Sequence, residues 1–279
     1  MQKSPYFNQS PQVNMPTNSQ EETVSAKIEF QQYPEEGHAH ETIKGLTSII
    51  IPAYFNSYLV FHYTGNCIGS ILEHTDPNKT PYEIILIQNG DTGIGFTEKN
   101  ARDSYADKII FNKENLGYAK AVNQGIRIAN GEFITIVNND TMVFNHWLSD
   151  MQQALEYVDL IQAYPMYGMP YARATIAQKL RDEEILKGDP QNSLDDFRDF
   201  SCVLTTKELF NKVGLFNEEF FAYGEDLDLV RRIEKEGGIV KSTKRVRIHH
   251  IIGATSSNMP EISEIMNSGK KKLEEIWEK

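Results

Sequence analysis

At 279 residues, 40% hydrophobic and 24% charged, the chain has the size and composition of one large or two small globular domains that bury most of their apolar surface. Its net charge of -11 repels nucleic-acid phosphates unless a local basic patch compensates, which argues against that partner; an anionic nucleotide would need a bridging cation or a helix N-terminus. Two widely spaced cysteines, Cys67 and Cys202, read as buried thiols rather than a disulfide framework, and no apolar run reaches the roughly 18 residues that span a bilayer.

Residues 1–44 are rich in Gln, Asn, Ser, Pro and Glu without helical or strand period, and are expected to form a flexible polar tail. His38-Ala-His40 within it reads as a solvated pair, since no further metal ligands lie nearby. No signal peptide is visible, so a cytoplasmic location is expected. Leu46-Thr-Ser-Ile-Ile-Ile-Pro52 predicts a buried strand closed by its proline, followed by a loop at Ala53–Asn56 and a helix over Tyr58–Glu73 weakened by Gly65 and Gly69. Glu83–Gly90 and Lys108–Phe111 predict two more strands. Ala119, Val122, Ile126 and Ala129 then mark a helix, with Gly131 as its expected C-cap. This rhythm is that of βαβ units, hence an α/β fold with a mostly parallel central sheet flanked by helices. The absence of Gly-x-Gly-x-x-Gly and phosphate-loop signatures argues against a dinucleotide enzyme or an ATPase.

Three stretches carry chemistry. Phe133–Val137 reads as a strand covered on both faces, and Asn138-Asn-Asp140 sits at its carboxyl end, where open α/β sheets bind ligands; a plain turn is the competing reading. After a helix at Trp147–Val158 and a strand at Leu160–Ala163, the pattern lapses from residue 164 to about 199. Tyr164, Met166, Tyr167, Met169 and Tyr171 there are either a platform for a sugar ring or core aromatics, and Gln178–Lys187 reads as a charged helical piece. Cys202–Thr206 and Lys207–Val213 restore a strand and a helix. In the second stretch, Phe220-Phe-Ala-Tyr-Gly-Glu-Asp-Leu-Asp-Leu-Val-Arg231, Glu225, Asp226 and Asp228 begin a helix that should end at Gly237-Gly238. They either complement the helix dipole or, beside Phe220, Phe221 and Tyr223, supply a general base of raised pKa. The third, Arg247-Ile-His-His-Ile-Ile-Gly253, places two histidines in a strand; one is a core residue or a metal ligand completing a site with Asp140, for which Mn²⁺ or Mg²⁺ is suited. Residues 258–279 predict an amphipathic helix whose Lys270-Lys-Lys272 is a solvated face or a point of peripheral membrane contact.

In this order the pieces resemble the family-2 inverting glycosyltransferases of GT-A fold, especially their rhamnosyltransferase-like branch, over about Thr47 to Ser257. The markers are Ser48-Ile-Ile-Ile-Pro52, Asn115-Leu-Gly-Tyr-Ala119 with Asn123-x-Gly125, Gly131–Asp140, Phe220–Arg231 and His250-Ile-Ile-Gly253. The resemblance implies a metal-dependent enzyme moving a sugar from a nucleoside-diphosphate sugar, UDP- or dTDP-linked, to a hydroxyl of a saccharide, lipid-linked saccharide or protein, in glycan or polysaccharide synthesis. Asn138-Asn139-Asp140 stands at the family's Asp-x-Asp motif, with Asn138 replacing the first acid. By the same match Asp140 and His250 bind the divalent metal and Asp226 is the catalytic base, with Glu225 and Arg231 in support. Pro52, Ala53 and Tyr54 lie against the base, and Gly117 and Asn123 belong to the donor-binding set. Gln88 stands where the family usually has an Asp that reads the base's imide. A nucleotidyltransferase making the activated sugar is the competing enzyme class, although Pro52-Ala-Tyr-Phe-Asn56 lacks its Gly-rich basic loop; a non-catalytic nucleotide-sugar-binding or scaffold module is the other alternative.

Overall fold

Runs of isoleucine set the centre of the fold. In this computed structural model, which describes residues 41–91, 93, 104–167, 188–251, 253–255, 259 and 261–278, four strands pair in parallel in the order β3-β2-β1-β4: β1 (Ile43–Phe55), β2 (Tyr82–Asp91), β3 (Lys108–Asn112) and β4 (Gly131–Val137). Ile49, Ile50 and Ile51 are fully buried on alternating faces. Ile49 and Ile51 pack among residues of α1 (Tyr58–His74) and α3 (Trp147–Leu155), whereas Ile50 packs among those of α2 (Tyr118–Ile128), α4 (Lys207–Val213) and α5 (Glu225–Lys235). Each such isoleucine contributes roughly 1.5–3 kcal/mol, so an unbroken apolar run is stable only as a strand with helices on both sides.

The sheet continues past β4 through β8 (Cys202–Thr206), β6 (Leu160–Tyr167), β9 (Val240–His250) and β5 (Thr141–Met142), with β7 (Leu194–Asp195) on the side of β9. β8 runs antiparallel to both β4 and β6; the longer β6–β9 pairing is parallel. A last helix, α6 (Ile262–Trp277), packs on α5. Among the described residues no helix is long and apolar enough to cross a membrane. Lys270 and Lys271 lie 3.8 Å from Glu274 and Glu275 one turn on, and Lys272 reaches Glu219 at 2.6 Å.

Three local expectations are corrected. β1 begins at Ile43 and does not stop at Pro52: Pro52 pairs with Ile87, and the strand runs on to Phe55. The β4 ladder has already ended at Ile50↔Ile136, so β1 has a neighbour on one side only at Pro52, where a missing N–H is tolerated. Pro165 inside β6 follows the same rule, since pairing with β8 ends at Gln162↔Val203. Gly131 does not cap α2, which ends at Ile128; it opens β4, where a Cβ would lie 2.7 Å from Leu46 O and Ser48 N. The Gly65 and Gly69 positions do not interrupt α1, because Val60, Thr64, Cys67, Ile68 and Ile71 bury one continuous face. Both cysteines are free and buried, and burial pushes both thiols up, which keeps them unreactive. The His38–His40 pair, Met169, Tyr171 and the stretch at 178–187 lie outside the described residues.

Candidate active site

The carboxyl ends of β1, β2 and β4 open into one cavity of about 350 Å³, closed on the far side by the start of α5 and by α6. Asp140, His250 and Asp226 all line it. The first two meet because β5 pairs antiparallel with β9, setting Thr141 opposite His250, while Ile251 N–H donates to Asp140 O at 3.1 Å. Asp140 Oδ1 then lies 3.2 Å from His250 Nε2, and the Tyr167 ring packs against the imidazole at 5.8 Å. His249, the alternate residue, points into the interior. The strand tip is held rigidly: Asn138 N–H donates to Ser201 O, Asn139 Nδ2 donates to Thr64 Oγ1, and the Tyr118 hydroxyl donates to Asn138 Oδ1. With Oδ1 engaged, Asn138 has amide hydrogens to offer a ligand, where an aspartate offers only acceptors.

The turn Phe220–Gly224 delivers Glu225 and Asp226 to the same cavity at the first turn of α5. Tyr223 and Gly224 both take left-handed φ, +67° and +102°. Tyr118 N–H donates to Phe221 O at 2.6 Å, and a Cβ on Gly117 would run into the same carbonyl group. Gly117 is therefore a close-approach residue that joins the loop before α2 to the turn before α5. Desolvation, followed by the charge of Asp226, pushes Glu225 up to about 8; its Oε2 is buried without a hydrogen-bond partner among the described residues. Asp226 is raised as well, first by desolvation, against hydrogen bonds from backbone N–H groups that include Leu227 at 2.8 Å. Burial and the field of Glu225, Asp226, Asp199 and Asp140 raise the Tyr118 phenol well above its ordinary value. The three acids sit in the first turn of α5, where they complement its dipole, and of these Glu225 and Asp226 border the cavity while Asp228 bonds Arg232 and Trp277.

Pro52, Ala53, Tyr54, Gly117, Asn138 and Asn139 border the same cavity. Gln88, Asn123 and Arg231 are not among the described residues that line it. Gln88 is buried within β2, and the residue of that strand at the cavity is Asn89, whose amide bonds Asn112, Asn115, Leu116 N–H and Gly117 O. Arg231 lies 6.0 Å from the Trp277 ring. Asn123 bonds both backbone groups of Phe216, at 2.9 and 3.0 Å, and Glu218 at 2.9 Å. Asn123→Ala strands those buried Phe216 groups, so urea titration should show a loss of about 2–4 kcal/mol in stability, with nucleotide affinity of the folded protein unchanged. Asn89, Tyr118, Asp199, Ser201, Met259, Ile262 and Ile265 line the cavity without having been singled out as site residues. Asp199 is fixed by Gln162 Nε2 and Ser201 N–H, each at 2.8 Å.

The donor set fits a divalent cation in part. Among the described residues no group of three or more His, Cys, Asp or Glu side chains is arranged to hold a metal. Two donors at about 2.1 Å from a cation and at right angles lie about 3 Å apart, close to the 3.2 Å between Asp140 and His250. Hard cations in nucleotide sites commonly take one or two protein ligands and complete their shell with water and phosphate oxygens. The lining also contains four carboxylates, Asp140, Asp199, Glu225 and Asp226, and no Lys or Arg among the described residues. Among the described residues the lining supplies no cationic side chain to offset a diphosphate, and a bound cation would serve that role.

A parallel βαβ half joined through an antiparallel strand to a second half, with the cavity at their junction, is the architecture of the GT-A glycosyltransferases. Over 83% of the chain it superposes on 48% of GalNAc-T7, solved with UDP, GalNAc and Mn²⁺, at a TM-score of 0.60 and 15% identity. Over 82% it superposes on 70% of S. aureus TarS 1-349, solved with UDP-GlcNAc, at a TM-score of 0.53 and 15% identity. The profile of Glycosyl transferase family 2 matches residues 48–214, and the chain belongs to that family. It is 30% identical to glycosyltransferase GlyG of Streptococcus pneumoniae over 66% of its own length and 62% of GlyG. It is 30% identical to an uncharacterized glycosyltransferase of Rickettsia conorii, covering 62% of its own length and 29% of that protein, and 24% identical to chondroitin synthase of Pasteurella multocida, covering 68% and 23%. The chain thus spans less than two thirds of these curated relatives.

Proposed function

We propose that the chain transfers a sugar from a nucleoside-diphosphate sugar, UDP- or dTDP-linked, to an acceptor hydroxyl with inversion at the anomeric carbon, in glycan or polysaccharide synthesis. The observation that carries this is the placement of Asp140, His250 and Asp226 around one cavity. Asp140 and His250 hold Mn²⁺ or Mg²⁺. When bound, that cation supplies Lewis-acid stabilisation of the charge gathering on the departing nucleoside diphosphate. Pro52, Ala53 and Tyr54 pack on the nucleotide base, and Asn138 donates from Nδ2 to the donor's oxygens. Asp226 accepts the proton of the acceptor hydroxyl as that oxygen attacks the anomeric carbon from the face opposite the leaving group. Desolvation raises both carboxyls, and the charge of Asp226 raises Glu225 further, so the two share their protons as a pair in which Asp226 is the proposed base. The ligands of the GalNAc-T7 and TarS structures belong to the proposed donor class. The acceptor is a saccharide, a lipid-linked saccharide or a protein side chain.

A panel of nucleotide sugars with manganese, followed for released nucleoside diphosphate with and without acceptors, tests the proposal. Acceptor-stimulated release from a UDP- or dTDP-sugar is expected. Pyrophosphate-dependent formation of nucleoside triphosphate would identify a nucleotidyltransferase instead, and binding without turnover of any donor would identify a non-catalytic module.

A further inference from the structure

Helix α6 lines the cavity with Ile262 and Ile265 and also meets the turn that leads into Asp226. A Cβ on Gly269, in the middle of α6, would run into the carbonyl oxygen of Tyr223 and stand 2.9 Å from its carbonyl carbon and 3.1 Å from Ala222 O. A Cβ on Gly224 would in turn approach Gly269 O at 3.1 Å and the Phe220 ring at 2.9 Å. The turn that precedes Asp226 is therefore gripped from two sides, by Gly117 and Tyr118 on one and by Gly269 on the other, with Tyr223 in left-handed backbone. Beyond Gly269, α6 is pinned to the same helix that carries Asp226, because Trp277 Nε1 donates to Asp228 Oδ1 at 3.0 Å. Lys272 pairs with Glu219, just before the turn, at 2.6 Å.

We infer that Gly269 is a positioning residue for the catalytic base: α6 presses through it on the Tyr223–Gly224 turn and sets where the Asp226 carboxylate faces the acceptor. This rests on the proposed role of Asp226. With α6 anchored at both Lys272 and Trp277, a methyl at position 269 displaces the turn, and Asp226 follows two residues later. A shift of about 1 Å at a reacting group costs up to about a hundredfold in rate. The donor side, built from β1, β4 and β9, does not touch Gly269 and should be left intact.

The experiment measures kcat, donor KM, nucleotide Kd, Tm and the pH profile of kcat for the wild type, Gly269→Ala, Trp277→Phe and Asp226→Asn. Gly269→Ala should lower kcat about tenfold or more, leave nucleotide Kd within about twofold, and move the midpoint of the pH limb that reports Asp226. Alanine is the better helix former, so lost helicity in α6 cannot produce that result. Trp277→Phe keeps an aromatic ring but drops the bond to Asp228 and part of the indole face beside Arg231 and Lys235, and should lower kcat by about threefold with the same split. If Gly269→Ala does not fold, Trp277→Phe decides alone. Wild-type kcat in the folded variants, or parallel loss of donor affinity and turnover, overturns the inference while Asp226→Asn remains inactive. An active Asp226→Asn enzyme overturns the functional reading and this inference with it.

Discussion

Asp226→Asn is expected to lower turnover by about a hundredfold or more while donor affinity stays within about twofold of wild type. The amide has the shape of the carboxylate and keeps an oxygen for the Leu227 N–H, which Asp226 Oδ1 accepts at 2.8 Å, so the first turn of α5 should survive. What it loses is the ability to take a proton. Because desolvation raises Asp226 above its ordinary range, the ionised base forms only as pH climbs through that raised value. Turnover should therefore fall on the acid side at a pH above the usual aspartate range, and the variant should lack that limb. Full activity of Asp226→Asn, or an unaltered acid limb, would remove Asp226 from the role of base.

Asp140→Ala should weaken manganese-dependent nucleotide binding by about a hundredfold or more, since even changes in residues that only support a metal ligand cost 10–100-fold. Binding measured with chelator should change far less, because Pro52, Ala53 and Tyr54, not Asp140, are the residues proposed to pack on the base. The comparison of titrations with manganese and with chelator isolates the cation from the packing of the base. Manganese-dependent affinity equal to wild type would discard Asp140 as a ligand.

The parallel half was legible in the sequence because its physics is local. Ile49-Ile50-Ile51 and Ile84–Ile87 admit a strand with two covered faces, and the amides and acid after Val137 mark its functional end. Proline punctuation misled, since Pro52 and Pro165 are tolerated inside strands wherever one neighbour has already peeled away, which depends on pairings far off in sequence. Gly131 likewise read as a helix cap when its true constraint is close approach to Leu46 and Ser48, more than 80 positions earlier.

At the site, residues at the carboxyl ends of the parallel strands could be named in advance. Asp199 and Ser201 could not, because β8 runs antiparallel and brings its beginning, not its end, to the cavity rim beside Val137. Gln88 and Asn89 differ by one residue, and strand alternation sends one into the sheet and the other to the loop at Asn115. The apolar stripe of α6 was visible as Ile262 and Ile265, but a stripe does not name what it covers; only Gly269, exposed by nothing in the helical pattern, records the contact with Tyr223.

The most direct test of the central claim is a crystal structure of the chain with manganese and a nucleoside diphosphate, collected at the manganese edge. A single anomalous peak on Asp140 and His250 beside the diphosphate is expected, with the Asp226 carboxylate lining the same cavity. A peak on other residues, or a nucleotide seated away from Pro52–Tyr54 and Asp226, would contradict it.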